Sequence, residues 1–441
     1  MTATSSVELI STKLARIAEL ARQAPDMVFT TLFHHVDLDW MREAHRRTRK
    51  DGAVGVDGQD ADAFAADLEG NLQRLLNAAK SGTYHAPPVR RVHIPKGDGS
   101  QTRPIGIPTF GDKVLQRAVA MLLEAVYEQD FLDCSYGFRP GRSAHGALDA
   151  LRDGVLATGG AWVLEVDLRK FFDTLGHRHI RDMLSQRVRD GVVTRLIGKW
   201  LNAGVLEAGA VTHPEQGTPQ GGVISPLLAN VYLHVALDTW FTREVQPRLS
   251  GRSKLVRYAD DFVIVFAYER DARKVAAVLP KRMARFGLTL HPDKTKLLWV
   301  GPERTPPGER DETTPQSLDF LGFTVFWGRA FSGRPTVRMK TRSKSLTSAL
   351  EAIRAYCRRH LHDALAEQHQ SLSQKVRGHY GYFGRPGNSR ALERFVWEVR
   401  RIWRSWLSRR SSKGVLSWEH MHALEKRFAM PRPRITRRGV T

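Results

Sequence analysis

Leu255-Val256-Arg257-Tyr258-Ala259-Asp260-Asp261-Phe262-Val263-Ile264-Val265-Phe266 sets two runs rich in β-branched and aromatic residues around an Asp-Asp pair. Such runs favour extended backbone, so the stretch reads as a β-hairpin with two adjacent carboxylates at its turn. Two like charges side by side repel by roughly 4 kcal/mol at about 4 Å when the effective dielectric is near 20. A cation is expected there, and a divalent metal held by carboxylates beside a nucleotide triphosphate meets the need. A solvated turn is the competing reading of the pair taken alone.

The order of the surrounding elements decides between them. Ala161-Trp-Val-Leu-Glu-Val-Asp167-Leu168 is a strand ending in a carboxylate, followed by Arg169-Lys-Phe-Phe172-Asp173 and a helical stretch. Gln216-Gly-Thr-Pro-Gln220-Gly-Gly-Val-Ile-Ser-Pro226 is a glycine-rich turn opening onto an apolar helix toward Phe241, with Pro226 suited to its first turn. After the hairpin come a helix from Asp271 to Phe286 and a strand from Leu297 to Val300. Strand, helix, strand-turn-strand, helix, strand is the order of a split βαβ, ferredoxin-like unit. In that topology the end of the first strand meets the turn of the central hairpin, so Asp167 joins Asp260 and Asp261. Three convergent carboxylates suit in-line phosphoryl transfer with two metals.

Leu9, Ile10, Leu14, Ile17 and Leu20 recur at helical spacing and predict an amphipathic packing helix at the start. Asp51 to Gly58 is turn-rich and reads as a loop, either a connector or a nucleic-acid contact. Val89 to Lys96 and Thr102 to Pro108 alternate around Gly97-Asp98-Gly99, which predicts a hairpin with Arg90, Lys96 and Arg103 on one side. Cations there suit a triphosphate clamp, although an ordinary basic hairpin has the same pattern. Ser135-Tyr-Gly-Phe-Arg139-Pro-Gly-Arg142-Ser143 reads as a glycine-rich loop before a helix, with Arg139 and Arg142 available to phosphates.

The formal charge of +22 over 441 residues points to a polyanionic partner. From Thr341 to Thr441 there are 22 Lys and Arg against 7 Asp and Glu. Nucleic acid is favoured over a membrane surface, because this end reads as folded helices rich in tryptophan. Leu346, Leu350, Ile353, Cys357, Leu361 and Leu365 form one apolar helical stripe, which makes Cys357 a core residue. Leu392, Phe395, Val396, Val399, Ile402, Trp403, Trp406 and Leu407 form another, leaving Arg394, Arg400, Arg401 and Arg404 largely outside it as candidates for RNA phosphates. Two cysteines, Cys134 and Cys357, allow neither a disulfide framework nor a four-cysteine zinc site. No apolar run approaches the roughly 20 residues that span a bilayer, so no membrane partner is expected. A cytoplasmic, nucleoid-associated protein is expected.

From about Trp40 to about Trp418 the chain resembles the group II intron-encoded reverse transcriptase/maturase family, in the bacterial form without the C-terminal HNH endonuclease domain. The motifs that carry this are Arg103-Pro-Ile-Gly-Ile-Pro108, Ser135 to Ser143, Val166-Asp167-Leu-Arg-Lys-Phe-Phe172-Asp173, Gln216 to Pro226, Tyr258-Ala-Asp-Asp261 and Phe320-Leu-Gly-Phe323. The resemblance implies an α+β right-hand polymerase with fingers and a ferredoxin-like palm, followed by an α-helical thumb/maturase domain. The expected divisions are an N-terminal helical extension over 1–80, fingers and palm over 81–335, thumb and maturase over 336–417, and a short basic tail over 418–441 that could retain DNA binding. Residues 301–316, taken to lie between two palm strands, are expected as an exposed hairpin loop.

The resemblance further implies that Asp167 and Asp260 ligate two Mg²⁺ ions, or Mn²⁺ in their place, with support from Asp261 and the Leu168 carbonyl. Phe172 stands where the family places a ring beneath the incoming sugar to exclude a 2′-hydroxyl. Gln220 stands where the family supports the nucleotide, and Lys96 and Arg103 where it holds the phosphates. Lys294 matches a lysine that protonates the leaving pyrophosphate, with Lys296 close by. Leu321-Gly322 resembles the primer-grip turn. Leu372 to Gly384, with Lys375 and Arg377, resembles the maturase segment. The implied partners are structured group II intron RNA, an RNA template with a DNA primer, dNTPs and target DNA. Lacking cysteine pairs, the chain is not expected to cut a second DNA strand itself. The alternative is a domesticated reverse transcriptase acting in defence or repair without an intron; an RNA-binding splicing factor with a vestigial polymerase fold is disfavoured by the intact Asp167, Asp260 and Asp261.

Overall fold

The computed structural model describes residues 3–96, 101–207, 209–212, 216–217, 221–303, 316–330, 332–410 and 415–435. No helix among them is long and apolar enough to cross a membrane. They form two compact units, one from the chain up to Leu297 and one from Leu298 onward together with Val155–Gly160.

The first unit opens with α1 (Ala3–Gln23), α2 (Leu38–Arg47), α3 (Ala61–Ala65) and α4 (Leu68–Ser81). In α1 the buried line is Ile10, Ile17 and Ala21, whereas Leu9 and Leu20, expected on that face, are exposed on its flanks. The predicted hairpin is β1 (Val89–Lys96) with β2 (Gln101–Ile107), antiparallel, with Ile94 opposite Arg103. The Asp51–Gly58 loop docks beneath it: Arg90 donates to the Val54 carbonyl at 2.7 and 3.0 Å, and Lys113 to that of Ala53 at 2.6 Å.

There follow α5 (Phe110–Asp130), α6 (Ala144–Leu156), β3 (Ala161–Val166), α7 (Phe171–Thr174), α8 (His177–Leu184), α9 (Gly191–Leu201), β4 (Val205–Glu207), β5 (Ala210–Thr212) and α10 (Ser225–Leu233). β4 pairs parallel with β1, giving a sheet of order β2-β1-β4-β5. Pro226 occupies the first turn of α10. Beyond it the helix widens into π-helical turns at His234–Asp238 and Phe241–Val245.

β6 (Ser253–Tyr258), β7 (Asp261–Phe266), α11 (Glu269–Ala284) and β8 (Lys296–Val300) complete the run. Their sheet has the order β6-β7-β3-β8, with β7 antiparallel to both β6 and β3. This is the strand order that the split βαβ reading requires. Val163, Leu164, Val263, Ile264 and Val265 are buried in it.

In the second unit, β9 (Ser317–Phe320), β10 (Phe323–Arg329) and β11 (Pro335–Thr341) form an antiparallel sheet. Residues 301–316 run between β8 and β9, which belong to different sheets, and the ends of the segment are joined by Gln316 N–H donating to Trp299 O at 2.9 Å. A tight turn at Leu321-Gly322, both at positive φ (47° and 80°), pairs β9 with its immediate successor. Most of the connecting segment, residues 304–315, lies outside the described residues.

Four helices complete the unit: α12 (Ser343–Arg359), α13 (Leu365–Phe383), α14 (Ser389–Leu407) and α15 (Trp418–Arg427). The single stripe through Leu361 and Leu365 is corrected, because α12 ends at Arg359 and Leu365 begins α13. Polar side chains fix the break: Arg410 donates to the Leu361 carbonyl at 2.6 Å and Gln368 to that of His360. Leu350, Ile353, Cys357, Leu372, Val376, Phe395, Val399, Trp403 and Met421 share one core. Burial pushes the Cys357 thiol up, as a core cysteine requires. The expected basic tail thus carries α15, anchored in that core by Met421.

Candidate active site

β3 pairs with β7 so that Val166 faces Phe262, and the β6–β7 pairing closes with Tyr258 opposite Asp261. This leaves Ala259 and Asp260 as the turn, and Asp167 emerges from β3 beside it. Beyond β3 the chain pairs with the segment after α11: Arg169 N–H donates to Thr289 O and His291 N–H to Asp167 O, both at 2.8 Å. That bridge runs through residues 167 and 169, leaving the Leu168 carbonyl outside it. It also brings Lys294 Nζ to 2.9 Å from Asp167 Oδ2. Of the two candidate lysines, Lys294 is the one on the carboxylate.

Asp260 is half-buried and Asp261 exposed. Burial pushes the Asp260 carboxyl up; the Arg103 guanidinium pulls it down and the Asp167 charge raises it. Two carboxylates that feel each other, balanced by Arg103 and Lys294, are a donor set that fits a divalent cation. Among the described residues, no three His, Cys, Asp or Glu side chains gather closely enough to hold a metal ion. Asp261 opens β7, where successive side chains alternate between faces.

Phe172 is buried, with its ring 5.3 Å from that of Phe171. The start of the glycine-rich turn lies against this segment: Gly217 N–H donates to Leu175 O at 2.8 Å, and a Cβ on Gly217 would fall 3.0 Å from Phe172 O. The far end of the turn lies on β2, where a Cβ on Gly221 would fall 2.5 Å from Gly106 O. The turn therefore spans from the Phe172 segment to the strand carrying Arg103. Gln220 and the Lys96 side chain lie outside the described residues.

Among the described residues four non-glycine positions have positive φ, and three lie in the segments that meet here: Phe138 (58°), Lys170 (49°) and Ala259 (56°). Backbone held in this region is characteristic of functional sites. Phe138 exposes 55% of its surface, with its ring 6.4 Å from that of Tyr258. Gly137 abuts the turn so closely that a Cβ would fall 2.4 Å from Ala259 N.

Residues 94–325 match the family model described as reverse transcriptase (RNA-dependent DNA polymerase). This chain belongs to the reverse transcriptase family. It is similar to the group II intron-encoded protein LtrA of Lactococcus lactis subsp. cremoris, at 37% identity over 248 residues, covering 54% of this chain and 40% of that protein. Protein YkfC of Escherichia coli (strain K12) is 35% identical over 291 residues, covering 58% of this chain and 76% of that protein. The mitochondrial nuclear intron maturase 4 of Arabidopsis thaliana is 28% identical over 128 residues, covering 29% of this chain and 16% of that protein. The reverse transcriptase is thus of the group II intron type, and the chain spans less than half the length of LtrA.

The arginines expected to meet RNA divide into two groups. Arg139 is not available: it is buried, paired with Glu128 at 3.0 Å, and donates to the Leu132 and Ser135 carbonyls at 2.8 and 2.9 Å. Arg400 makes a bidentate pair with Glu425 of α15. Arg404 donates to Leu416 O at 2.6 Å and lies 4.4 Å from the centre of the Trp418 ring. These three hold structure together. Arg142 pairs with Asp133 at 2.5 Å and stays half-exposed. Lys375, Arg377 and Arg394 are exposed, as is Arg401, which stacks on Trp397.

Sequence reasoning missed Arg257, Asp238 and Asn230, all buried beneath the β6–β7 turn. The available signal was a lone arginine directly after Leu255-Val256 in a run that reads as a core strand, since a buried charge demands partners.

Proposed function

We propose that this reverse transcriptase is an RNA-directed DNA polymerase that copies group II intron RNA into DNA and binds that RNA to assist splicing and mobility. The observation that carries the proposal is the meeting of Asp167 and Asp260 across β3 and the β6–β7 turn, with Arg103 and Lys294 as their counter-charges. In this reading the first unit holds fingers and palm and the helices of the second form the thumb and maturase region.

Asp167 and Asp260 would hold the metals, with Asp261 and the Leu168 carbonyl as supporting oxygens. Two Mg²⁺ ions bound there, or Mn²⁺, would supply activation of the primer 3′-hydroxyl and neutralisation of the triphosphate. Arg103, with Lys96, orients the phosphates of the incoming dNTP, and Gln220 supports that nucleotide. The Phe172 ring closes the space that a 2′-hydroxyl would need. Lys294, held on Asp167 before the substrates arrive, carries the proton for the leaving pyrophosphate. Lys375, Arg377, Arg394 and Arg401 provide the cationic surface for the RNA backbone.

Extension of a DNA primer on an RNA template tests the polymerase: the wild type should extend it, and Asp260→Ala should not. A wild-type chain that binds template and primer but adds no nucleotide refutes it. RNA bound to Asp260→Ala purified from the native host tests the maturase half. One long structured RNA carrying this reading frame is expected, and a diverse mixture refutes that half.

A further inference from the structure

Beneath the β6–β7 turn lies a buried polar network that the polymerase reading leaves unused. The Arg257 and Asp238 side chains are both completely inaccessible to solvent. A guanidinium has five N–H donors in a rigid plane, and here each has an acceptor. Nε donates to Asp238 Oδ1 at 2.8 Å and Nη2 to Asp238 Oδ2 at 2.6 Å. Nη2 also donates to Ser135 Oγ at 2.8 Å, while Nη1 donates to Asn230 Oδ1 at 2.9 Å and to Ala259 O at 3.1 Å.

These acceptors come from three separate pieces of chain: the glycine-rich loop, the helix after the Gln216–Pro226 turn, and the catalytic turn itself. Asp238 closes a π-helical turn, a departure from α geometry that recurs at functional sites. Asn230 reaches the loop as well, donating to Gly137 O at 2.8 Å, and the Arg257 backbone is bonded to Cys134 O and Tyr136 N–H.

We propose that Arg257, through its planar fork on Asp238, Ser135, Asn230 and the Ala259 carbonyl, is the positioning residue that sets where the Asp260 carboxylate stands. Ala259 is the residue held at positive φ immediately before Asp260, and its carbonyl belongs to the peptide that Asp260 continues. Fixing that carbonyl fixes the peptide plane from which Asp260 departs. Stability alone does not account for the pair, because a buried ion pair is commonly replaced by apolar residues without loss of stability. Lysine, a point charge without a planar fork, cannot make the same set of bonds.

The proposal rests on the polymerase reading, so its test includes a readout independent of synthesis. Two full-length variants are compared with wild type: Arg257→Lys, and the double apolar replacement Arg257→Met with Asp238→Leu. Arg257→Lys, which leaves buried acceptors without donors, is expected to melt earlier and the double replacement close to wild type. At a temperature where both are folded, both are expected to bind template–primer normally, while single-turnover extension falls by about 100-fold, the scale of a misplacement near 1 Å. Mn²⁺ binding, followed by electron paramagnetic resonance without any substrate, is expected to weaken by about tenfold in both, about 1.4 kcal/mol.

A purely structural ion pair predicts instead that the double replacement, once folded, extends primers and binds Mn²⁺ as wild type does, and that result overturns the proposal. Should neither variant fold, Ser135→Ala decides: it is expected to melt somewhat earlier, having left one buried N–H without its acceptor, and to extend about fivefold more slowly at a temperature where it is fully folded, and an unchanged rate overturns the proposal. If wild type itself extends nothing, the polymerase reading fails, and unaltered Mn²⁺ binding in the variants would separately overturn this one.

Discussion

Gly137→Ala perturbs the β6–β7 turn, the proposed catalytic one, without touching any charge. The glycine is not in the left-handed region, so alanine suits its backbone and the effect is one of space. An added Cβ falls 2.4 Å from Ala259 N, 3.0 Å from Tyr258 C and 3.2 Å from Ala259 Cα, all backbone atoms that no rotamer can move aside. Reaching ordinary contact needs about 1 Å of separation, a displacement that costs on the order of 100-fold when it falls on reacting groups. The loop cannot give way easily, because Gly137 O accepts from Asn230 and Tyr136 N–H donates to Arg257 O. Overpacking of this kind also destabilises by about 1–3 kcal/mol. Single-turnover extension of a DNA primer on RNA, with template–primer binding by fluorescence anisotropy and a thermal melt, separates the effects. The expected result is a rate about 100-fold lower with binding retained. A rate within threefold of wild type would refute the steric reasoning.

Phe172→Val should let ribonucleotides in, lowering discrimination against rNTPs by on the order of 100-fold in competition assays, and unchanged discrimination would remove Phe172 from the sugar pocket. Burial pushes the Asp112 carboxyl from 3.8 up to about 7, against the bond from Tyr84. The folded state then holds the proton more tightly than the unfolded one, so this contribution is complete below about pH 4 and is lost as pH rises through about 7, by at most about 4 kcal/mol. Asp112→Asn should therefore gain stability over wild type between pH 5 and pH 8 in urea titrations, and a difference independent of pH would contradict this. Arg377→Glu with Arg394→Glu should weaken intron RNA binding and reduce its salt slope by about 0.7–0.9 per lost contact. Arg400→Glu should instead lower the melting point of the second unit by breaking its pair with Glu425; a variant that loses RNA affinity without melting earlier would return Arg400 to the RNA surface.

The central sheet was legible because its information is local: alternation marks each strand, and the order of strands and helices admits few topologies. Asp167 and Asp260 follow from that order, since each sits at a strand end whose position the topology dictates. The fate of individual arginines was not legible. Arg139 and Arg400 look like surface cations in sequence, and only the fold brings Glu128 and Glu425 to them. The same limit hid Arg257, whose partners lie apart from it in the sequence, Ser135 in one part and Asn230 and Asp238 on a single helical stretch in another. The break between α12 and α13 escaped notice because Leu361 and Leu365 keep the helical spacing past the end of α12, while Gln368 and Arg410 take up the freed carbonyls.

The order β6-β7-β3-β8 also governs when the protein can become itself. β3 leaves the ribosome first, yet its partner residues arrive about a hundred positions later, with Val163 waiting for Val265. During that interval the apolar stretch Ala161-Trp162-Val163-Leu164 has no neighbouring strand to pair with, and such an edge invites other chains. Nascent chains released before β7 emerges should therefore be insoluble, whereas those that include β8 should stay in solution.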